Sequence, residues 1–170
     1  MALCATINLS SREVKLQKTE PALLNKWLGG RGLGAALLYD LVRPEVQPFD
    51  PENCLIFTTG AFNGTAWPAS ARYHVTFKSP ATDAYGYSNA GGHFSAELRR
   101  AGFDALLITG KSPQPVMIRI TGDKIELLPA KHLWGMTTSQ VDKQVLGEGG
   151  RVVSIGPAGE NLVRMAAIIG

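Results

Sequence analysis

Residues 85–101 read Tyr-Gly-Tyr-Ser-Asn-Ala-Gly-Gly-His-Phe-Ser-Ala-Glu-Leu-Arg-Arg-Ala, and their periodicity changes once. Residues 84–88 have the extended character of a strand, whereas Phe94, Glu97, Leu98 and Ala101 recur at the i, i+3, i+4, i+7 spacing of a helix. The backbone is therefore expected to turn over residues 89–92. A glycine pair there removes Cβ atoms where the first amide N–H groups of a helix lack partners, so an anionic group can approach the backbone closely. The stretch reads either as the seat of a phosphate-bearing cofactor or as an ordinary tight strand-to-helix connection.

Upstream, residues 72–78 alternate as a strand, entered from an irregular segment, residues 60–70, of a length that is often functional in a compact domain. Arg72 stands where loop meets strand. It is either a solvated edge arginine or a planar fork for a phosphate or a polar heterocycle. Residues 54–58 form a short apolar run suited to a buried strand, and Pro44, Pro48 and Pro51 make the segment before it a surface loop.

At the N-terminal end, residues 5–9 and 13–17 alternate as a hairpin about Ser10 and Ser11. A helix starts near Pro21 with Leu23, Leu24, Trp27 and Leu28 as its apolar face. A nominal G-x-G-x-x-A dinucleotide fingerprint follows at Gly30, Gly32 and Ala35. It needs a preceding strand, and here a helix precedes it. A flexible glycine break and a second helix over residues 33–41 is the better reading.

Downstream come a buried strand at 105–109 and a hairpin of 116–120 with 125–128 through Thr121-Gly122-Asp123-Lys124. A helix is expected at 139–146, capped by Thr137 or Thr138 and stopped by the glycines of 147–150. A strand at 151–155, a turn at 156–159 and an apolar stretch at 162–169 complete the chain. Hairpins mixed with single helices favour an α+β fold over a doubly wound parallel sheet.

Hydrophobic residues are 45% and charged residues 18%, the composition of a folded globular domain rather than a disordered chain. The net charge of +3 comes from scattered cations, with Arg99-Arg100 the tight pair on the expected helix, so a nucleic-acid partner is not expected. Cys4 and Cys54 are far apart and too few to hold zinc or an iron–sulfur cluster; a reduced pair and a cytoplasmic location are expected. No apolar run has the length of a membrane span, and no membrane partner is expected. His74 and His93 each stand alone, without paired carboxylates, and read as satisfied or solvent-facing rather than metal-bound. Gly86-Tyr87-Ser88-Asn89-Ala90 is similar to a nucleophile elbow, which would need an acid and a later histidine, His132 being the candidate. The residues support a binding surface better than a catalytic one.

Four blocks then stand out in order. They are Trp27-Leu28-Gly29-Gly30-Arg31-Gly32-Leu33-Gly34; Phe49-Asp50-Pro51-Glu52-Asn53 leading to Thr59-Gly60 and Arg72-Tyr73; Ser88-Asn89-Ala90-Gly91-Gly92-His93-Phe94 with Glu97-Leu98 and Ala101-Gly102-Phe103-Asp104; and Ile155-Gly156-Pro157-Ala158-Gly159-Glu160-Asn161-Leu162. Through them the sequence resembles the N-terminal domain of the aldehyde ferredoxin oxidoreductase family, the tungsten-dependent bis-pterin enzymes, over essentially all 170 residues.

The resemblance implies a two-sheet α+β domain with a pseudo-twofold arrangement, whose saddle carries two molybdopterin-type dithiolenes around one tungsten (or molybdenum). It also implies that Arg72 and the turn of Asn89, Ala90, Gly91 and Gly92 contact the pterin and phosphate portions. The main-chain carbonyl of Asn89 then helps to hold a magnesium between the phosphates. Ser88 would belong to that cofactor loop and not to a triad, and no catalytic residue is assigned.

The family's second pterin loop, its 4Fe-4S cysteines, its substrate cavity and its acid–base groups are expected outside residues 1–170. On this reading those residues form a single cofactor-binding domain truncated at its C-terminal end and inactive alone. Its expected partners are the missing C-terminal domains or a companion subunit and, through the complete enzyme, ferredoxin. The activity implied for that enzyme is oxidation of aldehydes to carboxylic acids. The other functional class is a non-catalytic pterin-binding or remnant module.

Overall fold

A computed structural model describes residues 2–146 and 150–170. The chain opens with the hairpin β1 (Leu3–Asn8) and β2 (Glu13–Lys18), then α1 (Pro21–Trp27) and α2 (Gly30–Leu41). There follow β3 (Leu55–Thr59), β4 (Tyr73–Lys78), β5 (Tyr85–Ala90), α3 (Phe94–Arg100) and β6 (Phe103–Thr109). The hairpin β7 (Val116–Thr121) and β8 (Lys124–Pro129), α4 (Thr138–Val145) and α5 (Pro157–Glu160) come last. Six strands form one sheet in the order β2-β1-β6-β3-β4-β5, in which β1 and β6 run parallel and the other neighbours antiparallel. β7 and β8 make a second, two-stranded sheet. The expected α+β class with two sheets and a few helices is borne out.

Side chains alternate across the large sheet, so each face has its own core. Phe57, Tyr73, Val75, Phe103 and Leu106 pack with Leu98 of α3 on one face, where Ile120 and Ile125 of the small hairpin also dock. Leu33 and Leu38 of α2 meet Cys4, Cys54, Ile56 and Leu107 on the other. A bulge in the β1–β6 pairing sets Leu3 against Phe103 and Cys4 against Ala105, leaving Asp104 between them. Asp104 is buried and paired with Arg99, tying the end of α3 to the sheet.

The glycine stretch at 29–34 is not a flexible break. Leu28 at φ +62° and Gly29 at +104° end α1 and turn the chain, and α2 starts at once at Gly30. The reason is packing. A Cβ on Gly34 would stand 2.5 Å from Thr76 Oγ1, and one on Gly29 2.7 Å from the Thr59 carbonyl oxygen. Thr58 Oγ1 donates to the Gly30 carbonyl at 2.9 Å. Glycines thus let a helix lie directly against β3 and β4, and that gain outweighs their poor helix propensity.

Elsewhere local signals hold. Pro21 sits in the first turn of α1, and Thr137 caps α4 in a reciprocal capping box with Gln140. Of the helix stop expected at 147–150, residues 147–149 lie outside the described residues. The strand expected at 151–155 is absent; only Ser154 pairs, with Ile169, and one bridge is too short to make a ladder. The turn expected at 156–159 tightens into α5, opened by Pro157. No helix among the described residues is long and apolar enough to cross a membrane.

Candidate functional site

β5 is an outer strand of the large sheet, and the predicted site residues gather at its C-terminal end. The Ser79 amide donates to the Ala84 carbonyl at 2.8 Å, and an antiparallel ladder alternates bonded and non-bonded pairs. Gly86, Ser88 and Ala90 therefore turn their backbone groups toward β4, whereas Tyr85, Tyr87 and Asn89 turn theirs off the sheet. The Asn89 carbonyl is thus directed away from the ladder, and the Ala90 amide is directed into it.

The turn begins two residues later than expected, because Asn89 and Ala90 remain in strand, paired with His74 and Tyr73. It starts at Gly91. Among the described residues the amides of Gly91 and Gly92 have no hydrogen-bond acceptor, backbone or side chain. A Cβ on Gly91 would find only the Ala71 carbonyl oxygen at 3.9 Å, and one on Gly92, at φ +101°, nothing within 4 Å. α3 has seven residues, and its N-cap, His93, makes no side-chain capping bond. What the turn offers is therefore two open amides beside a side-chain fork, not the dipole of a long helix.

Arg72 supplies that fork, its Nη1 donating to Asn89 Oδ1 at 2.5 Å across the β4–β5 pair. Its backbone is fixed from behind. Buried Asn63 takes the Gly60 amide on Oδ1 (3.1 Å) and gives Nδ2 to the Arg72 carbonyl (2.7 Å), closing the long loop onto the strand it feeds. On the same face as Asn89, Arg31 at the start of α2 donates to the Tyr87 hydroxyl at 3.0 Å and lies over that ring, 4.9 Å from its centroid. His74 packs beneath Gly30, near enough to both arginines to feel their charge. Burial first, then Arg31 and Arg72, push its pKa below the ordinary 6.5, and its Nδ1 is buried without a partner. Among the described residues neither Arg31 nor Arg72 meets a carboxylate. The cluster is cationic and open, chemistry that receives anions.

Sequence reasoning placed Arg72, Asn89, Gly91 and Gly92 together, and the structure does the same. It missed Asn63, Arg31, His74 and Tyr87. The block around Arg31 was the only sign of them, since nothing local in sequence says that α2 crosses β4 at His74. The elbow reading fails on position: Ser88 lies within β5 opposite Val75 and not at a strand-to-helix turn. His132 sits in a short 3-10 turn after β8.

Fold and site together describe an α+β domain with an anion-receptive end to its sheet, and comparison with known proteins specifies the family. The family model for "Aldehyde ferredoxin oxidoreductase, N-terminal domain" matches residues 4–170. The tungsten-containing aldehyde ferredoxin oxidoreductases of Pyrococcus furiosus and Thermococcus kodakarensis are 44% and 45% identical over 96% of this chain. A P. furiosus protein named aliphatic sulfonate oxidoreductase, WOR-like subunit, is 30% identical over a similar span. A solved structure described as the active site complex BamBC of benzoyl coenzyme A reductase with 1,5-dienoyl-CoA superposes with a TM-score of 0.92, at 38% identity, over 98% of this chain and 26% of that one. The chain belongs to the aldehyde ferredoxin oxidoreductase family and corresponds to its N-terminal domain. It spans 28% of the length of the two aldehyde enzymes.

Proposed function

We propose that this chain is the cofactor-binding portion of a tungsten or molybdenum bis-pterin oxidoreductase that oxidises aldehydes to carboxylic acids and passes the electrons to ferredoxin. The observation that carries the reading is the Arg72–Asn89 fork beside two glycine amides that meet no acceptor among the described residues, in a chain of this family.

An anionic, planar group fits these residues. Gly91 and Gly92 leave space that a Cβ would enter, no carboxylate among the described residues competes for the Arg72 guanidinium, and the donors are of the kind that take phosphate oxygens. Arg72 would hold the pterin or its phosphate by its planar fork, and the Gly91 and Gly92 amides would take phosphate oxygens. The outward carbonyl of Asn89 would be the ligand this chain offers to a magnesium ion accompanying the cofactor, and Ala90, its amide turned into the ladder, would fix where that carbonyl points. His74, kept neutral, leaves the two arginines as the charge of the site. The bound metal centre supplies the two-electron redox chemistry. The 4Fe-4S cluster, substrate cavity and acid–base groups come from the rest of such an enzyme or from a companion subunit, so the chain alone does not turn over. A reducing cytoplasm suits the two buried free thiols, Cys54 being pushed up to about 12 by burial.

Arg72→Lys tests the reading, because an ammonium offers a point charge where a planar fork is needed. Pterin released by oxidation and tungsten or molybdenum content should fall roughly tenfold in the holoenzyme, equivalent to about 1.4 kcal/mol, as for one charge-assisted bond. Unchanged pterin and metal would make Arg72 a solvated edge residue.

A further inference from the structure

The two outer edges of the large sheet are unlike. β2 carries Glu13, Lys15 and Lys18, charges that discourage another strand from pairing with it. β5 reads Tyr-Gly-Tyr-Ser-Asn-Ala, with no charge, proline or bulge. Among the described residues no backbone hydrogen bond leaves its outer side, where Tyr85 and Tyr87 turn their N–H and C=O groups. Between β5 and α2 runs a groove of about 730 Å³, walled by Ala35, Leu38, Val42 and the two tyrosines. Arg31 and Arg43 border it without a carboxylate partner among the described residues, and its one carboxylate, Asp83, is already paired with Lys78 at 3.2 Å.

We propose that β5 accepts an extended segment of a partner protein by strand addition, the groove-facing side chains of that segment being two carboxylates that flank an aliphatic residue. Backbone bonds to Tyr85 and Tyr87 hold the segment, the apolar wall takes the aliphatic side chain, and Arg31 and Arg43 select for acid. A second copy of this chain suits the edge poorly. In-register antiparallel pairing of two β5 strands places Tyr87 opposite Tyr87 and brings two Arg31 side chains together with no acid between them. The segment occupies residues 85–88 and leaves 89–92 free; Arg31 and Tyr87 also stand at the proposed cofactor site, so the test is made on the chain without cofactor, where the edge is read alone.

The test uses the isotope-labelled chain and an acetylated, amidated hexapeptide, Glu-Thr-Val-Thr-Glu-Thr, with a control carrying lysine at both glutamate positions. The acidic peptide should slow hydrogen exchange at the Tyr85 and Tyr87 amides and bind roughly tenfold tighter than the lysine control. Tyr85→Pro removes one outward N–H at the first residue of the strand without breaking a ladder bond, and should weaken binding by about tenfold. Should that variant lose its fold by circular dichroism, the same loss is expected from a peptide N-methylated on the residues that face β5. Three results would overturn the proposal: no protection at either amide with millimolar peptide, equal affinity for the lysine control, or protection that grows with protein concentration in the absence of peptide, which assigns the edge to a second copy.

Discussion

The chain has two glycine clusters, and they do opposite things. At 29–34 every added Cβ meets something close: the Thr59 carbonyl oxygen at 2.7 Å from Gly29, His74 at 3.2 Å from Gly30, the Trp27 carbonyl oxygen at 2.9 Å from Gly32 and Thr76 Oγ1 at 2.5 Å from Gly34. At 91–92 an added Cβ meets almost nothing. The first cluster excludes side chains so that protein can touch protein. The second leaves a space that no described residue fills. Sequence writes both as glycine, and only what surrounds the backbone separates a packing seam from a landing place.

The sharpest way to break the contrast is to add bulk to the seam. Gly34→Val drives methyl groups into Thr76 and should destabilise the fold by about 3 kcal/mol, lowering the melting temperature by roughly 6–12 °C. A loss under about 0.5 kcal/mol in urea denaturation would mean that α2 does not sit on β4 as described.

The open cluster should behave differently, and its two glycines should part company. Gly92 holds φ +101°, so Gly92→Val costs about 1–3 kcal/mol of backbone strain although space is free. Gly91 has no such φ and room for a Cβ, so Gly91→Val should change stability by less than about 0.5 kcal/mol. In the holoenzyme Gly91→Val should nonetheless lose far more pterin and metal than Asn89→Ala, since alanine keeps the outward carbonyl and gives up only the Oδ1 contact that steadies Arg72, whose own planar fork remains. Equal and small losses in these two variants would reduce the turn to a plain connection.

The smallest effect tests the histidine under the seam. His74 has its pKa lowered in the fold by burial and by Arg31 and Arg72, so the unfolded chain binds a proton at a higher pH than the folded one. Stability from this group is therefore full above about pH 6.5 and falls as pH drops below it, by less than about 1.4 kcal/mol per pH unit. His74→Gln should lose less stability than the parent between about pH 7.5 and about pH 5.5 in urea denaturation. Parallel losses would place the imidazole in contact with water.

How much of this was legible follows the range of the forces. The β1–β2 and β7–β8 hairpins, the proline start of α1 and the Thr137 cap are set by neighbours in sequence, and each was readable. The parallel pairing of β1 with β6 and the meeting of Gly34 with Thr76 join residues distant in the chain, and no local pattern carries them. The strand expected at 151–155 had the right residues, but only Ser154 finds a partner. At the site, Arg72 and the turn could be named because loop, strand and glycine pair announce themselves. Arg31 and His74 could not, because their proximity exists only once α2 has crossed the sheet.

The bulged, parallel seam between β1 and β6 also bears on how the molecule is made. β1 leaves the ribosome well before β6, for the neighbour that covers its second edge begins only at Phe103. At a synthesis rate of roughly 5–20 residues per second, the β1–β2 hairpin waits on the order of 5–20 seconds with the backbone groups of one β1 edge unpaired by β6. Of the six described strands of the large sheet, the last in chain order thus lies at its middle, between β1 and β3, and its pairing with β1 closes the kind of long loop that slows folding.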